Sequence, residues 1–299
     1  MIVSAMNILD DLQVFFGATS STTARLYARM PHPIANVQFA GRVIGPYCRH
    51  SRTLPASIPL VVLPGETLLA EVVVPDPCFW TPDLPMLYRF DIEYSIADSP
   101  PSKIQRWIGI RPLGVHARRF LWAARNWVLR GAQPASDCED WSAWRRQELS
   151  CWLRSPSDGL LEELSHEGVL VAAEVTAVAD LPRLARWPAV GLAVLRDEST
   201  GETAVSALAP NILLGQAFNE HEILERPTWG HFVAAEVVEA DHFAGRVSLC
   251  DSPVIACRRA DTILSLERTR AECDRLQRDL AGKGEFAGYV ILQPKDATT

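Results

Sequence analysis

Apolar and polar positions change rhythm once along this chain, close to residue 115. Before it, Phe90, Ile92, Tyr94 and Ile96 alternate with Asp91, Glu93 and Ser95, the period-2 pattern of a half-buried strand. Similar alternation runs through Val37, Phe39 and Val43, and residues 60–63 and 68–74 form short apolar runs split by Pro64-Gly65-Glu66. Many short strands punctuated by proline and glycine predict a β-sandwich over residues 1–115.

From residue 119 onward short apolar runs recur roughly every 20 to 24 residues, with polar stretches of helical character between some of them. The runs predict strands over 127–131, 148–153, 169–175, 190–195, 212–216, 232–237, 253–257 and 288–292. Leu160, Leu161 and Leu164 share a helical face over 159–167, ahead of Gly168. A second helix is expected over 262–280, with Ile263, Leu266, Cys273, Leu276 and Leu280 near one face and Glu267 able to pair with Arg270. Eight strand–helix repeats predict a (β/α)8-type barrel over 116–299. That stretch is shorter than the ~250 residues such a barrel usually takes. Either helices are trimmed, or the barrel is open or incomplete.

Composition bounds the function. The chain has 299 residues, of which 48% are hydrophobic and 22% charged, as in ordinary globular proteins, and its net charge of −7 opposes a nucleic-acid-binding face. Seven scattered cysteines, with Cys250 and Cys257 seven apart, match no zinc spacing and read as buried thiols of a reducing compartment. No apolar run approaches a membrane span, and Asp10 and Asp11 follow a short apolar stretch that lacks signal-peptide features. A cytoplasmic protein without membrane or cofactor is expected.

One stretch carries a resemblance. Phe79-Trp80-Thr81-Pro82-Asp83-Leu84-Pro85-Met86-Leu87-Tyr88 resembles the W-[ST]-P-x-x-P-x-L-Y segment of glycoside hydrolase family 2. Trp107-Ile108-Gly109-Ile110-Arg111 resembles that family's hydrophobic-G-hydrophobic-R strand. Phe120-Leu121-Trp122 and Val128-Leu129-Arg130-Gly131 resemble its approach to the barrel. Residues 148–175 are similar to its strand 2, helix 2 and strand 3 unit, with Arg154, Gly168 and Glu174 in matching places and Ser165 where an aspartate would stand. Without the family, Pro82 and Pro85 still exclude a central strand and make a rigid corner that neighbouring aromatics can bury. The resemblance implies an immunoglobulin-like sandwich followed by a barrel, and a carbohydrate partner.

It also implies a retaining glycosidase, which needs two carboxyl groups about 5 Å apart, one nucleophile and one acid/base. In the family the acid/base sits in an Asn-Glu pair after strand 4, and Asn219-Glu220 is such a pair here. The strand count, however, puts Glu220 after strand 5, while strand 4 ends Val194-Leu195-Arg196-Asp197. Strand 7, Pro253 through Arg259, offers no acid; Cys257 would be its sole nucleophile and reads better as packing. Glu174 and Glu236 close two near-identical runs, LVAAEV and FVAAEV, and are expected to pair with inward arginines. His221, His231 and His242 fit no metal site, and Trp122, Trp127, Trp141, Trp144 and Trp152 read as core ahead of sugar-stacking faces. The expected function is a catalytically degenerate family 2-like protein that binds a carbohydrate or a protein. The alternative is an active retaining glycosidase with Glu220 as acid/base and Arg154, Glu174, Asn219 and Glu236 contacting substrate.

Overall fold

The computed structural model describes residues 12–33, 37–96, 100–135, 140–196, 205–219, 222, 224–248 and 250–294, leaving aside the side chains of 242, 244 and 248. The chain forms two compact units, Met1–Arg111 with Pro182–Pro188, and Pro112–Leu181 with Ala189–Thr299. No helix among the described residues is long and apolar enough to cross a membrane.

The first unit holds strands β1 (Gln13–Thr19), β2 (Thr23–Arg29), β3 (Val37–Tyr47), β4 (Ala56–Pro59), β5 (Val61–Leu63), β6 (Leu69–Pro75), β7 (Leu87–Ile96) and β8 (Ser102–Ile108). They make two antiparallel sheets, ordered β1-β2-β6-β5 and β4-β3-β7-β8. The alternation in β7 does what its period dictates. Phe90, Ile92 and Tyr94 enter a core with Leu26, Val72 and Ile104, while Arg89, Asp91 and Glu93 stand opposite Trp107, Gln105 and Lys103 on the other face. This is the immunoglobulin-like sandwich expected from the sequence.

The proline corner is built from its own residues. Thr81 donates its backbone N–H to the Leu84 carbonyl at 3.0 Å and accepts the Leu84 N–H on its hydroxyl at 3.0 Å. Trp80 is fully buried and donates its N–H to the Ile110 carbonyl at 2.9 Å. Its side chain packs on Gly109, where a Cβ would fall 2.8 Å from the Trp80 Cβ and Cγ, so the glycine is there to let the indole approach.

The second unit opens with a small antiparallel sheet, β9 (Leu113–His116), β10 (Arg119–Trp122) and β11 (Arg125–Trp127). Phe120 of β10 is fully buried and meets the Phe232 ring edge-on, with 5.5 Å between centroids. Then follow β12 (Leu129–Ala132), β13 (Ser150–Arg154), β14 (Val171–Val175), β15 (Val190–Leu195), β16 (Leu213–Phe218), β17 (Phe232–Glu236), β18 (Val254–Arg259) and β19 (Gly288–Leu292). Each pairs in parallel with the next, and β19 returns to β12, closing the barrel. The open-barrel alternative is therefore corrected. The first predicted strand divides, because Trp127 belongs to β11 and only Leu129 onward enters the barrel.

The helices are α1 (Trp141–Arg146), α2 (Asp158–Glu167), α3 (Leu181–Leu184), α4 (Val205–Leu208), α5 (Ala240–Ser248) and α6 (Leu266–Asp279). Two of them have only four residues, which is how a short chain still closes eight strands. In α2 the Ser157 hydroxyl accepts the Leu160 N–H, and Gly168 ends the helix at φ 83°, a left-handed conformation that glycine adopts without strain. Helix α6 starts at Leu266, capped by Ser265; Ile263 lies outside it and is exposed, contrary to the predicted face. Arg270 pairs with Asp274 at 2.9 Å instead of with Glu267.

Candidate functional site

Side chains at the carboxyl ends of parallel barrel strands converge on one mouth, where barrel chemistry is placed. Among the described residues, the mouth of this barrel carries ion pairs. Glu174, last but one in β14, is 6% exposed and accepts three hydrogen bonds. Trp152 Nε1 and Arg154 Nε, both from β13, donate to its Oε2 at 3.2 Å each. Arg196, directly after β15, donates its Nε to Oε1. The register explains the meeting: Arg154 is the direct β13 partner of Glu174, and Val194 is its β15 partner, two residues before Arg196. Burial pushes the Glu174 carboxyl up, but the hydrogen bonds and charges of Arg196, Trp152 and Arg154 outweigh it and hold the group below the usual range.

Glu236, the last residue of β17, accepts from Arg259 Nε of β18 at 3.2 Å. Arg259 also donates Nη1 to the Gln293 carbonyl at 2.8 Å. Gln293 in turn donates its Nε2 to the Gln133 carbonyl at 2.9 Å, which ties the ends of β19 and β12 together. Cys257 is the β18 partner of Glu236 and is buried. Burial, then the negative charges of Glu236 and Glu174, raise its thiol far above the ordinary value, which favours the protonated form.

The sequence-named residues thus divide. Arg154 and Glu174 touch, and Glu236 stands two barrel positions from Arg196, whose guanidinium feels the charges of both acids. Asn219 follows β16, where its backbone N–H and side-chain amide both donate to Glu222, at 2.6 and 3.0 Å, and its carbonyl accepts from Arg246. Glu220 and His221 lie outside the described residues, as does the side chain of His242. His231 accepts the Leu214 N–H on Nδ1 at 3.1 Å, at the opposite end of the barrel. Trp141, Trp144 and Trp152 are buried, which assigns them to the core. Sequence reasoning missed Arg196 and Arg259 as the partners of the two acids. The signal was present: a basic residue ends strand 4 and another ends strand 7, each beside a strand that ends in glutamate.

Comparison with known proteins supplies a fold. The sequence matches no protein-family profile and no curated protein. Among solved structures, a β-glucuronidase from Bifidobacterium dentium, complexed with coumarin-3-O-glucuronide, superposes with a TM-score of 0.64 at 13% identity, over 94% of this chain and 59% of that one. A β-glucuronidase from Ruminococcus gnavus with a C6-substituted uronic isofagomine gives 0.65 at 14% identity, over 94% and 60%. A putative β-galactosidase from Bacteroides fragilis gives 0.63 at 11% identity, over 94% and 54%. The chain therefore spans between about half and three fifths of the length of these structures. It has the sandwich-and-barrel fold of glycoside hydrolase family 2 structures, divergent in sequence, and the resemblance read between Phe79 and Glu174 is one of fold.

Proposed function

We propose that this chain is a glycoside hydrolase family 2-like protein that binds a carbohydrate and does not cleave it. The observation that carries the reading is the state of Glu174, whose two carboxylate oxygens are occupied by Arg196, Arg154 and Trp152. Retaining hydrolysis needs one free carboxylate to attack the anomeric carbon and one protonated acid facing it. A buried glutamate held below the usual pKa by two guanidiniums cannot donate a proton near neutrality, and three of the roughly four acceptor positions of its carboxylate are already engaged. Glu236 is engaged by Arg259, and strand 7 supplies a protonated thiol where an attacking acid would stand. Free thiols at all six described cysteines fit a reducing compartment.

The test is hydrolysis of a panel of aryl glycosides by the purified chain, beside Glu220→Gln. No turnover above background, with saturable sugar binding in the same preparation, is the expected result. Turnover abolished by Glu220→Gln would replace this reading with that of an active retaining glycosidase. Binding to a protein but to no sugar would leave the degenerate barrel and change its partner.

A further inference from the structure

We propose that the sandwich docks on an anionic lipid surface through the side formed by the β3–β4 loop and strands β4 and β5. The inference stands apart from the carbohydrate reading and concerns another part of the chain.

Net charge over the whole chain conceals how unevenly that charge is spread. Residues 12–65 include five arginines and no aspartate or glutamate, a charge of +5, whereas the rest of the chain carries −12 toward the total of −7. This stretch makes strands β1 to β5. Three of its arginines are engaged within the sandwich, Arg25 with Glu71, Arg29 with Gln13 and Arg42 with Asp91. The other two, Arg49 and Arg52, are exposed on the loop between β3 and β4, with exposed His50 between them.

An apolar component lies on the same side. Two residues beyond Arg52, Leu54 is 94% exposed, more than any other large apolar side chain among the described residues. Val61 and Val62 of β5 are 62% and 46% exposed. Strands β4 and β5 are edges of the two sheets, and only Leu60 separates them, its N–H donated to the Gly41 carbonyl at 2.9 Å. The loop, β4 and β5 therefore run along one side of the sandwich, where basic and apolar groups are gathered. The acids facing these strands, Glu71 opposite Val61 and Asp91 opposite Arg42, are each held by an arginine.

This combination discriminates among anionic partners. A nucleic acid would engage the arginines through its phosphates but leave Leu54 and the two valines in water. A strand added by a protein needs a continuous row of backbone donors, and Pro55, Pro59 and Pro64 interrupt this edge. A projecting leucine also needs a matching pocket on a protein partner. The headgroup–acyl boundary of a bilayer admits it without one, and anionic headgroups there attract the flanking arginines. The expectation of no membrane partner rested on the lack of spanning runs, and peripheral contact requires none.

The experiment is co-sedimentation of the full chain with vesicles of phosphatidylcholine alone, and of phosphatidylcholine mixed with an equal part of phosphatidylglycerol. The mixed vesicles are expected to bind at least about tenfold more tightly. Their affinity should fall severalfold between ~20 and ~200 mM salt. Arg52→Gln should weaken binding about fivefold, the effect of one arginine near an anionic surface. Leu54→Ser should weaken it severalfold at both salt concentrations, because burial of apolar surface is not screened. Both side chains are exposed, so the variants are expected to fold, which circular dichroism checks. Equal binding to the two kinds of vesicle, or binding to neither, would overturn the inference, as would variants that bind like the parent. A short DNA duplex that bound as tightly as the mixed vesicles would make this side a general polyanion surface and overturn the lipid assignment. None of these outcomes bears on sugar binding, which is measured separately.

Discussion

Trp80 packs against Gly109 so closely that a single methyl group on the glycine would come within 2.8 Å of the tryptophan Cβ. The contact joins the proline corner to the segment that runs from the end of β8 to Arg111, two stretches whose resemblance to known sequences has here a steric cause. Trp80 cannot withdraw, because its N–H is committed to the Ile110 carbonyl and its ring is fully buried. Gly109→Ala is expected to cost about 1–3 kcal/mol by overpacking, measured as a lowered urea midpoint with an unchanged slope. Gly109→Val should be worse. A variant as stable as the parent would mean that the corner gives way freely.

Glu174→Gln keeps the shape of the side chain and removes its charge, leaving Arg154 and Arg196 side by side without their acid. Breaking a wholly buried pair costs more, but both arginines are partly solvated, so a loss of about 1–3 kcal/mol is expected. The double variant Glu174→Gln, Arg196→Gln should recover part of that loss, and a double-mutant cycle measures the coupling. If the double loss equals the sum of the single ones, the two groups do not interact.

Ser165 shows how a neutral side chain fixes helix α2 to the start of β15. Its buried hydroxyl donates to the Leu161 carbonyl at 2.6 Å and accepts the Ala189 N–H at 3.0 Å. Ser165→Ala leaves that buried N–H without an acceptor, a loss of about 1–3 kcal/mol by thermal unfolding. Ser165→Thr, which keeps the hydroxyl, tests crowding separately.

Acid should act in two stages. Burial, assisted by Arg226, lowers the His231 pKa, and its Nδ1 must stay unprotonated to accept the Leu214 N–H. A histidine depressed in the folded state binds its proton more readily when unfolded. Its stabilisation is therefore complete above the ordinary histidine value and declines as the pH falls through that value toward the folded one. Glu174 is also depressed, so its contribution holds above the ordinary carboxylate range and is lost as the pH falls below it. Stability measured against pH should step down once near 6 and again below about 4.5. His231→Gln should erase the first step alone.

Thiol chemistry checks the assignment of Cys257. Cys48 and Cys78 are half-buried, whereas Cys151, Cys250, Cys257 and Cys273 are buried, and burial raises the Cys257 and Cys273 thiols. Iodoacetamide at pH 8 should label Cys48 and Cys78 first. Rapid modification of Cys257 in the folded protein would contradict a packed thiol.

The barrel strands were legible because parallel strands are buried on both faces and appear as unbroken apolar runs. No predicted end lies more than two residues from the observed one. The short helices α3 and α4 were not legible, since four residues make about one turn and carry no periodicity to read. The first strand was read as continuous through Trp127 because nothing in the local pattern marks the change of sheet. At the mouth the acids and the kind of partner they would meet were legible, but which arginines would supply it was not. LVAAEV and FVAAEV are nearly the same word, yet Glu174 meets two arginines and Glu236 one. Which arginine arrives depends on neighbouring strands and their register, information spread over residues far apart in the chain.

Each rim of this barrel carries a group that acid reaches at its own pH. At the amino-terminal rim, where the ion pairs Arg118–Asp251 and Arg119–Glu285 also lie, a neutral imidazole of His231 accepts the Leu214 N–H, while at the carboxyl-terminal rim Glu174 and Glu236 accept from arginines. Mild acidity reaches the imidazole well before it reaches the carboxylates. Falling pH is thus a handle that turns one pole of this domain before it turns the other.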